Sequence, residues 1–215
     1  MSTRSRIAAD AIEQAVWRAR ALPVRAGSLL APGTMVRRAT GARKVHLGCG
    51  PHLLDGWANL DMGGPPGVVR FDLSRPLPFP TGGLVRIYTE HFVEHLRREQ
   101  VEALFRECAR TLAPDGVLRV STPDLRVLVA AYLEGRTGDW SDMQWTPASA
   151  CDLLNEGMRL WGHLYVWDEE QLTASLLTAG FSRVERVRWR ESEHEDLRGL
   201  ESRPDHDDLI VEARP

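Results

Sequence analysis

Lysine is nearly absent from this 215-residue chain, and cysteine is scarce. Lys44 is the only lysine, which excludes a P-loop, a Tyr-x-x-x-Lys reductase pair and a Schiff-base lysine further along the chain. The three cysteines lie far apart, and none belongs to a C-x-x-C pair. Neither a zinc site built on cysteine nor a redox disulfide is therefore expected.

Long apolar runs are also missing. The longest, such as residues 127–133, fall far short of the ~20 residues that a membrane-spanning helix needs. The N-terminus shows no apolar region followed by a small-residue cleavage site, so we see no secretory signal. We expect a cytoplasmic protein with no membrane-embedded part.

Charge is unevenly distributed along the chain. Residues 1–44 hold nine basic residues against two acidic ones, a balance of +7, whereas the remainder holds 18 basic and 28 acidic residues, a balance of -10. Nucleic-acid binding depends on clustered Lys and Arg, so the acidic main body argues against a nucleic-acid substrate.

The N-terminal region has the pattern of a separate element. Residues 5–22 carry apolar side chains at three and four residue spacing, which predicts an amphipathic helix ended by Pro23. Residues 25–41 contain Gly and Pro and indicate a connector. We assign residues 1–42 to this helical extension, and we expect the helix to cap the site or to mediate self-association as a homodimer.

Residues 43–215 alternate short apolar strands with helical patterns. This alternation predicts an α/β fold with a mostly parallel sheet covered on both faces. The predicted strands are 44–48, 57–61, 68–71, 84–89, 117–121, 183–190 and 208–213, and the predicted helices are 99–112 and 168–179. The segment 113–116 is predicted as a turn, and the polar segment 191–207 as a long surface loop.

Glycines and acids follow the first four predicted strands. Gly48-Cys49-Gly50 follows the first strand, and Asp61, Asp72 and Glu90 follow the next three. Ligands of open parallel sheets bind outside the carboxyl ends of the strands, where a carboxylate can bind ribose hydroxyls or an adenine amino group. The pattern indicates an adenosine-bearing ligand. A nicotinamide dinucleotide fits less well, because its third glycine would fall at Leu53.

Six short motifs follow one another in a characteristic order. They are HLGCG at 46–50, NLD at 59–61, FP at 79–80, TEH at 89–91, LAPDGVL at 112–118 and AGF at 179–181. In this order they resemble the class I S-adenosylmethionine-dependent methyltransferases of the small-molecule type, over roughly residues 43–213. The resemblance implies a Rossmann-like, seven-stranded, mostly parallel sheet with an antiparallel last strand, and S-adenosylmethionine as the cofactor.

Carried over residue by residue, the resemblance implies a set of cofactor contacts. They are Gly48, Cys49, Gly50, Asp61, Met62, Asp72, Leu73, Glu90 and His91. The chain departs from the family in one region, because only 13 residues separate Gly48 from Asp61 and His52 stands where a third glycine is usual. We therefore expect a short turn or loop in place of the first crossover helix. We also expect the methionine end of the cofactor to be bound differently from the way the family usually binds it.

The hexapeptide at residues 90–95 admits two interpretations. His91, Glu94 and His95 match the H-x-x-E-H signature of zinc hydrolases, which needs both histidines in one helix. His91 directly follows a predicted strand, so we expect no metal. Within the resemblance, a Glu-His pair at this place is similar to the pair found beside the transferred methyl in several small-molecule and fatty-acyl members. We expect Glu94 and His95 to be catalytic, with packing of His95 as the alternative.

Residues 132–167 form an insertion that contains four of the seven tryptophans. Such an insertion is either a lid that excludes water and shapes an acceptor pocket, or the core of a small subdomain. His163 and Tyr165 could reach the site from this side, and we take His163 as the third catalytic candidate. Asp124 is interpreted as a helix N-cap rather than a site residue.

Together these patterns predict an S-adenosylmethionine-dependent methyltransferase for a small or medium acceptor with a hydroxyl or sugar-like group. The acceptor class rests on two missing motifs, an Asn/Asp-Pro-Pro-Tyr/Phe amino-methylation motif and a Pro-Cys nucleophile, and on the acidic body. Two alternatives stay open, a non-catalytic adenosine- or partner-binding protein of the same fold and the zinc hydrolase.

Overall fold

A computed structural model describes residues 42–137, 140, 145–204 and 206–215, and the predicted N-terminal helix lies outside these residues. The strands are β1 (Lys44–Leu47), β2 (Ala58–Asp61), β3 (Val69–Arg70), β4 (Leu84–Glu90), β5 (Leu112–Thr122), β6 (Arg183–Arg186) and β7 (Leu209–Arg214). They form one seven-stranded sheet in the order β3-β2-β1-β4-β5-β7-β6.

Strand directions match the expected topology. The pairs β3–β2, β2–β1, β1–β4 and β4–β5 are parallel, whereas β7 is antiparallel to both β5 and β6. The predicted mostly parallel sheet with an antiparallel last strand is confirmed. Since β1 to β5 all point the same way, the residues after their carboxyl ends gather at one edge of the sheet.

The described helices are α1 (Arg98–Thr111), α2 (Leu125–Leu133), α3 (Ala150–Gly157) and α4 (Glu169–Thr178). Helix α4 begins where the Asp168 carboxylate accepts a hydrogen bond from the Gln171 backbone N–H at 2.8 Å, and Gly180 follows its end with a φ of 108°. Both end signals are as predicted. None of these helices is long and apolar enough to cross a membrane.

The main core lies between the sheet and helices α1 and α4. Its fully buried side chains include Val45 and Leu47 of β1, Ile87 of β4 and Leu172 of α4, and the Phe105 and Trp167 rings pack with centroids 6.3 Å apart. Between β1 and β2 the chain forms turns with no described helix, as the short spacing predicted. Gly48, at the start of these turns, lies against the ring of Phe92, a member of this core.

Strand β5 begins five residues earlier than predicted. Leu112 pairs with Leu84, and the next pair joins Val117 to Arg86. While β4 advances two residues, β5 advances five, so residues 113–116 bulge from the ladder instead of forming the predicted turn. Pro114 lacks an N–H for the ladder and is exposed, which explains why the excess residues are accommodated there.

The prediction of a surface loop at 191–207 is wrong for its central part. A short 3-10 helix, Glu195–Leu197, buries Leu197 against Trp57 and Tyr88 on the sheet. Arg119 of β5 is 0% exposed, and its Nε donates to Glu201 Oε1 of this segment at 2.6 Å. A second carboxylate, on Glu212 of β7, accepts from Arg119 Nη1, also at 2.6 Å. The segment is thus tied to the sheet through a buried ion cluster.

Replacement of Arg119 should be strongly destabilising. In Arg119→Met, two buried carboxylates lose their cation, and breaking a buried pair in this way costs about 3–5 kcal/mol. Urea unfolding should show the loss as a lower midpoint. The control is Arg183→Met, which removes an exposed ion pair with Glu185 and should cost no more than about 1 kcal/mol. An unchanged midpoint in Arg119→Met would contradict the prediction.

His46 of β1 makes the stability of the fold depend on pH. Its ring is buried and packs against Tyr88 with centroids 4.9 Å apart, and burial lowers the pKa of His46 to about 4. In the unfolded chain a histidine titrates near ~6.5. Between these two values the unfolded state binds more protons, so the stability present above pH 6.5 is lost as the pH falls toward 4.

His46→Leu should remove this dependence. Between pH 7 and pH 4.5 its unfolding free energy should fall by about 2–3 kcal/mol less than that of the wild type. Urea titrations across this pH range measure the difference. Val45→Ala is the control, because it removes buried apolar atoms from the same strand without a titrating group and should shift the curve down in parallel. If the His46→Leu and wild-type curves were parallel, the proposed linkage would be wrong.

Candidate functional site

A cavity of about 480 Å³ lies at the carboxyl edge of the parallel strands. Nine of the twelve predicted site residues line it: Gly48, Cys49, Gly50, Asp61, Glu90, His91, Glu94, His95 and His163. The other three, Met62, Asp72 and Leu73, are buried and are not part of its lining. The structure therefore brings most of the predicted set to one place.

The glycine loop after β1 is held closely against its surroundings. Gly48 has a φ of 66°, and a Cβ at this position would lie 2.2 Å from the Phe92 ring. Its N–H donates to the Leu60 carbonyl at 2.9 Å, which fastens the loop to β2. Gly50 also has a positive φ, but a Cβ there would meet nothing within 4 Å. The loop is thus packed on one side and open on the other.

Asp61 connects this loop to the end of β2. Its Oδ2 accepts a hydrogen bond from the Gly50 N–H at 2.9 Å, and its Oδ1 accepts from the Gly63 N–H at 3.1 Å. An ionised carboxylate offers about four acceptor positions, so two backbone donors leave capacity for a ligand. Asp61 both shapes the glycine loop and presents acceptors to the cavity.

The two later strand-end acids are engaged within the protein. Asp72 Oδ1 accepts from the backbone N–H and the hydroxyl of Ser74, at 3.1 and 2.6 Å. Glu90 lines the cavity, but it accepts from the Ser202 N–H at 2.9 Å, the Ser202 hydroxyl at 2.7 Å and the Arg203 N–H at 3.2 Å. Glu90 therefore fastens a segment that sequence analysis had assigned to solvent, and this segment becomes one wall of the cavity.

His91 forms a contact that sequence reasoning missed. Its Nε2 lies 2.7 Å from Asp208 Oδ2, and its Nδ1 lies 3.4 Å from Glu94 Oε1. Burial opposes the charged ring, yet the two carboxylates outweigh burial and raise the pKa of His91 to about 9. A φ of 47°, unusual for a residue other than glycine, directs the chain out of β4 at this point. A charged His91 therefore joins the end of β4 to the residue preceding β7.

Glu94 lies in a short 3-10 helix, Val93–His95, which begins directly after Phe92. Its side chain is 0% exposed, and its Oε2 accepts a hydrogen bond from the Thr122 hydroxyl at 3.0 Å. Its Oε1 makes no hydrogen bond of good geometry, but it faces the His91 Nδ1 at 3.4 Å. Burial would raise the pKa of Glu94, but the contact with the charged His91 lowers it to about 2. Glu94 is thus an ionised carboxylate held by Thr122 and paired with His91.

His95 and His163 lie beside the Glu94 carboxylate. Their rings meet edge to face with centroids 5.1 Å apart, and His95 Nε2 lies 4.0 Å from Glu94 Oε1. The Nδ1 of His163 lies 3.0 Å from the Gly157 carbonyl. Burial lowers the pKa of His163, which favours its neutral form. The three residues expected to be catalytic thus form one cluster.

The H-x-x-E-H interpretation does not find the geometry it needs. His91 lies outside the 3-10 helix that contains His95, and its ring faces Asp208. The two histidines are therefore not presented by one turn of an α-helix, which is the arrangement that zinc hydrolases with this signature use. The histidine that joins Glu94 and His95 is His163, about seventy residues further along the chain.

The tryptophan-rich insertion has its own small core beside the cavity. Trp140 and Trp145 are buried with Leu128 and Leu153, and the two indole centroids lie 5.3 Å apart. Trp161 is 40% exposed and lines the cavity. The insertion therefore contains the core of a small subdomain, and tryptophans of the same insertion line the cavity.

Asp124 and Tyr165, which lie near the insertion, contribute to helix capping and to core packing. Asp124 accepts a hydrogen bond from the Arg126 N–H at 2.9 Å and caps α2, as interpreted from the sequence. Tyr165 packs against Trp167 in the main core, with ring centroids 4.6 Å apart, and is not part of the cavity lining. Of the two residues expected to reach the site from this side, only His163 does so.

Comparison with solved structures identifies the fold. An S-adenosylmethionine-dependent methyltransferase from Archaeoglobus fulgidus is similar with a TM-score of 0.50 and 19% identity, over 85% of this chain and 92% of that chain. The chain has the class I S-adenosylmethionine-dependent methyltransferase fold. A second enzyme so described, from Mesorhizobium loti, is similar with a TM-score of 0.46 and 20% identity, over 87% of this chain and 97% of that chain. No protein-family model matches the chain, and no curated protein sequence matches it.

Proposed function

We propose that the protein is an S-adenosylmethionine-dependent methyltransferase that acts on a hydroxyl or sugar-like group of a small or medium acceptor. The observation that carries the proposal is the junction of Asp61 with the Gly48–Gly50 loop, at the strand edge where this fold opens a cavity. The Glu94, His95 and His163 cluster lines the same cavity and supplies the acceptor side.

The residues at this junction fit an adenosine-bearing cofactor. Asp61 retains acceptor capacity for ribose hydroxyls, and the open side of Gly50 leaves room for a ligand to approach the backbone. Gly48 and Cys49 would complete this wall. Glu90 and Asp72 are engaged by serine and backbone donors, so their proposed contacts to the cofactor would have to be made by the remaining acceptor positions.

The bound cofactor would supply a methyl group made electrophilic by its sulfonium sulfur. The task of this chain is then to hold an acceptor oxygen in line with that methyl, and positioning can be worth ~7–11 kcal/mol of the barrier. His95 lines the cavity with its side chain 33% exposed, and its Nε2 lies 4.0 Å from Glu94 Oε1. An imidazole there can accept the proton of an acceptor hydroxyl.

The aromatic wall supports an acceptor with an apolar ring face and hydroxyl groups. Trp140, Trp145 and Trp161 line the cavity together with His163. Indole rings offer large flat apolar surfaces, and the neighbouring imidazoles offer hydrogen-bonding groups. A sugar-like ring has both kinds of surface.

Other parts of the expected function stay predictions. A cytoplasmic location is one of them. A homodimer through the N-terminal helix is another, and that helix lies outside the described residues. A non-catalytic adenosine- or partner-binding protein of this fold would bind the cofactor without turnover, so a turnover assay separates it from the enzyme.

Asp61→Ala should weaken binding of S-adenosylmethionine. Loss of hydrogen bonds to a charged group costs ~1.5–3 kcal/mol, which corresponds to a roughly 10- to 150-fold lower affinity. Isothermal titration calorimetry measures the change, and a thermal melt of each variant shows that it is folded. Asp55→Ala is the matched control, because Asp55 is an exposed acid of the same region outside the cavity lining. Unchanged affinity in Asp61→Ala would refute the ribose contact, and no binding by the wild type would refute the function.

His95→Ala should lower turnover about 10²- to 10⁴-fold, the usual contribution of a general base, while cofactor affinity stays near that of the wild type. Methyl transfer to a panel of hydroxylated acceptors and calorimetry with S-adenosylmethionine measure the two effects separately. His52→Ala is the control, since His52 is an exposed histidine of the same cavity. A loss of cofactor affinity, or of stability without a specific effect on rate, would assign His95 to packing.

A further inference from the structure

We infer that Glu94, His95 and His163 form a binding site for a divalent transition-metal ion of the zinc or ferrous iron type. One potential ligand atom from each residue lies within 4.8 Å of the others. In the part of the chain that the structure describes, no other three His, Cys, Asp or Glu residues meet this criterion. The inference replaces the expectation of a metal-free site.

The buried oxygen of Glu94 is the first sign of a missing ligand. Oε1 is buried and makes no hydrogen bond, with the His91 Nδ1 at 3.4 Å, whereas Oε2 is held by Thr122 at 3.0 Å. A buried acceptor without a hydrogen bond is destabilising, and more so when it belongs to a charged group. Since Thr122 fixes the orientation of the carboxylate, Oε1 is held toward the cluster. A cation bound there would satisfy it.

His163 has the second feature of a metal ligand. Its Nδ1 lies 3.0 Å from the Gly157 carbonyl, which can only accept, so Nδ1 carries the proton and donates. Nε2 is then the nitrogen with the free lone pair. Ligating histidines characteristically donate their other N–H to a carbonyl or carboxylate, which fixes the tautomer and the ring.

The backbone holds His163 next to Glu94 across a long sequence separation. The Glu94 carbonyl accepts hydrogen bonds from the Leu164 N–H at 2.7 Å and from the Tyr165 N–H at 3.2 Å. This pair of bonds fixes the chain that follows His163 against the 3-10 helix. His95 is partly exposed and packs edge to face against His163, with its Nε2 4.0 Å from Glu94 Oε1. The backbones of Glu94 and His163 are thus held next to each other.

The donor set selects the class of ion. Two imidazole nitrogens and one carboxylate oxygen suit zinc, ferrous iron and similar ions, whereas calcium and magnesium prefer oxygen ligands alone. Three protein ligands leave at least one position open, which is characteristic of catalytic rather than structural sites. Trp161 and His95 line the cavity, so the open position would face the space proposed for the acceptor.

The role of the ion rests on the proposed function. An acceptor hydroxyl that coordinates the ion loses its proton to solvent more readily. The oxygen then forms its bond to the methyl carbon as the methyl–sulfur bond breaks, and that electron pair stays on sulfur. When the ion is bound, His95 is one of its ligands and the ion activates the acceptor, whereas in the metal-free protein the His95 imidazole accepts the proton directly.

Metal binding by the full-length chain tests the site directly. Protein treated with EDTA and dialysed is titrated with Co²⁺, whose visible absorption reports nitrogen and oxygen ligation, and then with Zn²⁺, which should displace it. The wild type should bind one equivalent. Glu94→Gln, His95→Ala and His163→Ala should each lower the affinity at least about tenfold, since even residues behind the ligands contribute 10- to 100-fold.

His52→Ala is the matched control, because it removes a histidine that lines the same cavity outside the cluster. It should bind Co²⁺ as the wild type does. His163→Cys should recover binding that His163→Ala loses, because it restores a ligand atom. If Glu94→Gln or His163→Ala does not fold, His95→Ala at its partly exposed position gives the same measurement. Absence of stoichiometric Co²⁺ binding, or equal affinity in all variants, would overturn the inference.

Calorimetry with S-adenosylmethionine on the metal-free protein keeps the two proposals apart. Cofactor binding without any Co²⁺ binding would overturn the metal site and support the proposed cofactor. Co²⁺ binding that depends on the three residues, without cofactor binding, would support the site and refute the methyltransferase. EDTA-treated wild type that turns over at full rate would contradict the catalytic role of the ion.

Discussion

The charged ring of His91 holds together the chain segments on which the cavity depends. It bridges Asp208, just before β7, and Glu94, in the 3-10 helix after β4. Without the positive charge of His91, the carboxylates of Glu94 and Asp208 would lie at the sheet edge with this counter-charge missing. Because the same contact keeps Glu94 ionised, it also determines the charge that His95 and His163 face. The fold and the chemistry of the site thus share one interaction.

Features that are local in sequence could be predicted, whereas pairings across the chain could not. The Gly48–Gly50 turn, Asp61 and the cap at Asp168 follow from neighbouring residues alone. The partner of His91 is 117 residues away and the partner of Glu90 is 112 residues away, and no periodicity indicates either. Glu94 and His95 were expected from the resemblance to the family and His163 from its place in the tryptophan-rich insertion, but their meeting in one cluster was not predicted.

The segment 191–207 illustrates why composition misleads. Its polarity predicts solvent exposure, yet Glu201 is buried against Arg119 and the Ser202 backbone binds Glu90. A polar residue that pairs with a buried charge is indistinguishable by composition from one in water. The available signal lay elsewhere, in an arginine within the apolar run 117–120, because a charged side chain at a buried strand position requires a partner of opposite charge.

The close approach of Gly48 to Phe92 has a consequence for variation between related sequences. A Cβ at position 48 would overlap the Phe92 ring, so any larger residue there needs a smaller residue at 92 as well as a tolerated positive φ. Phe92 lies between His91 and Glu94, and a change in its size would shift both. Positions 48 and 92 should therefore change together in natural relatives, and engineering of the glycine loop will alter the histidine cluster even where no cluster residue is replaced.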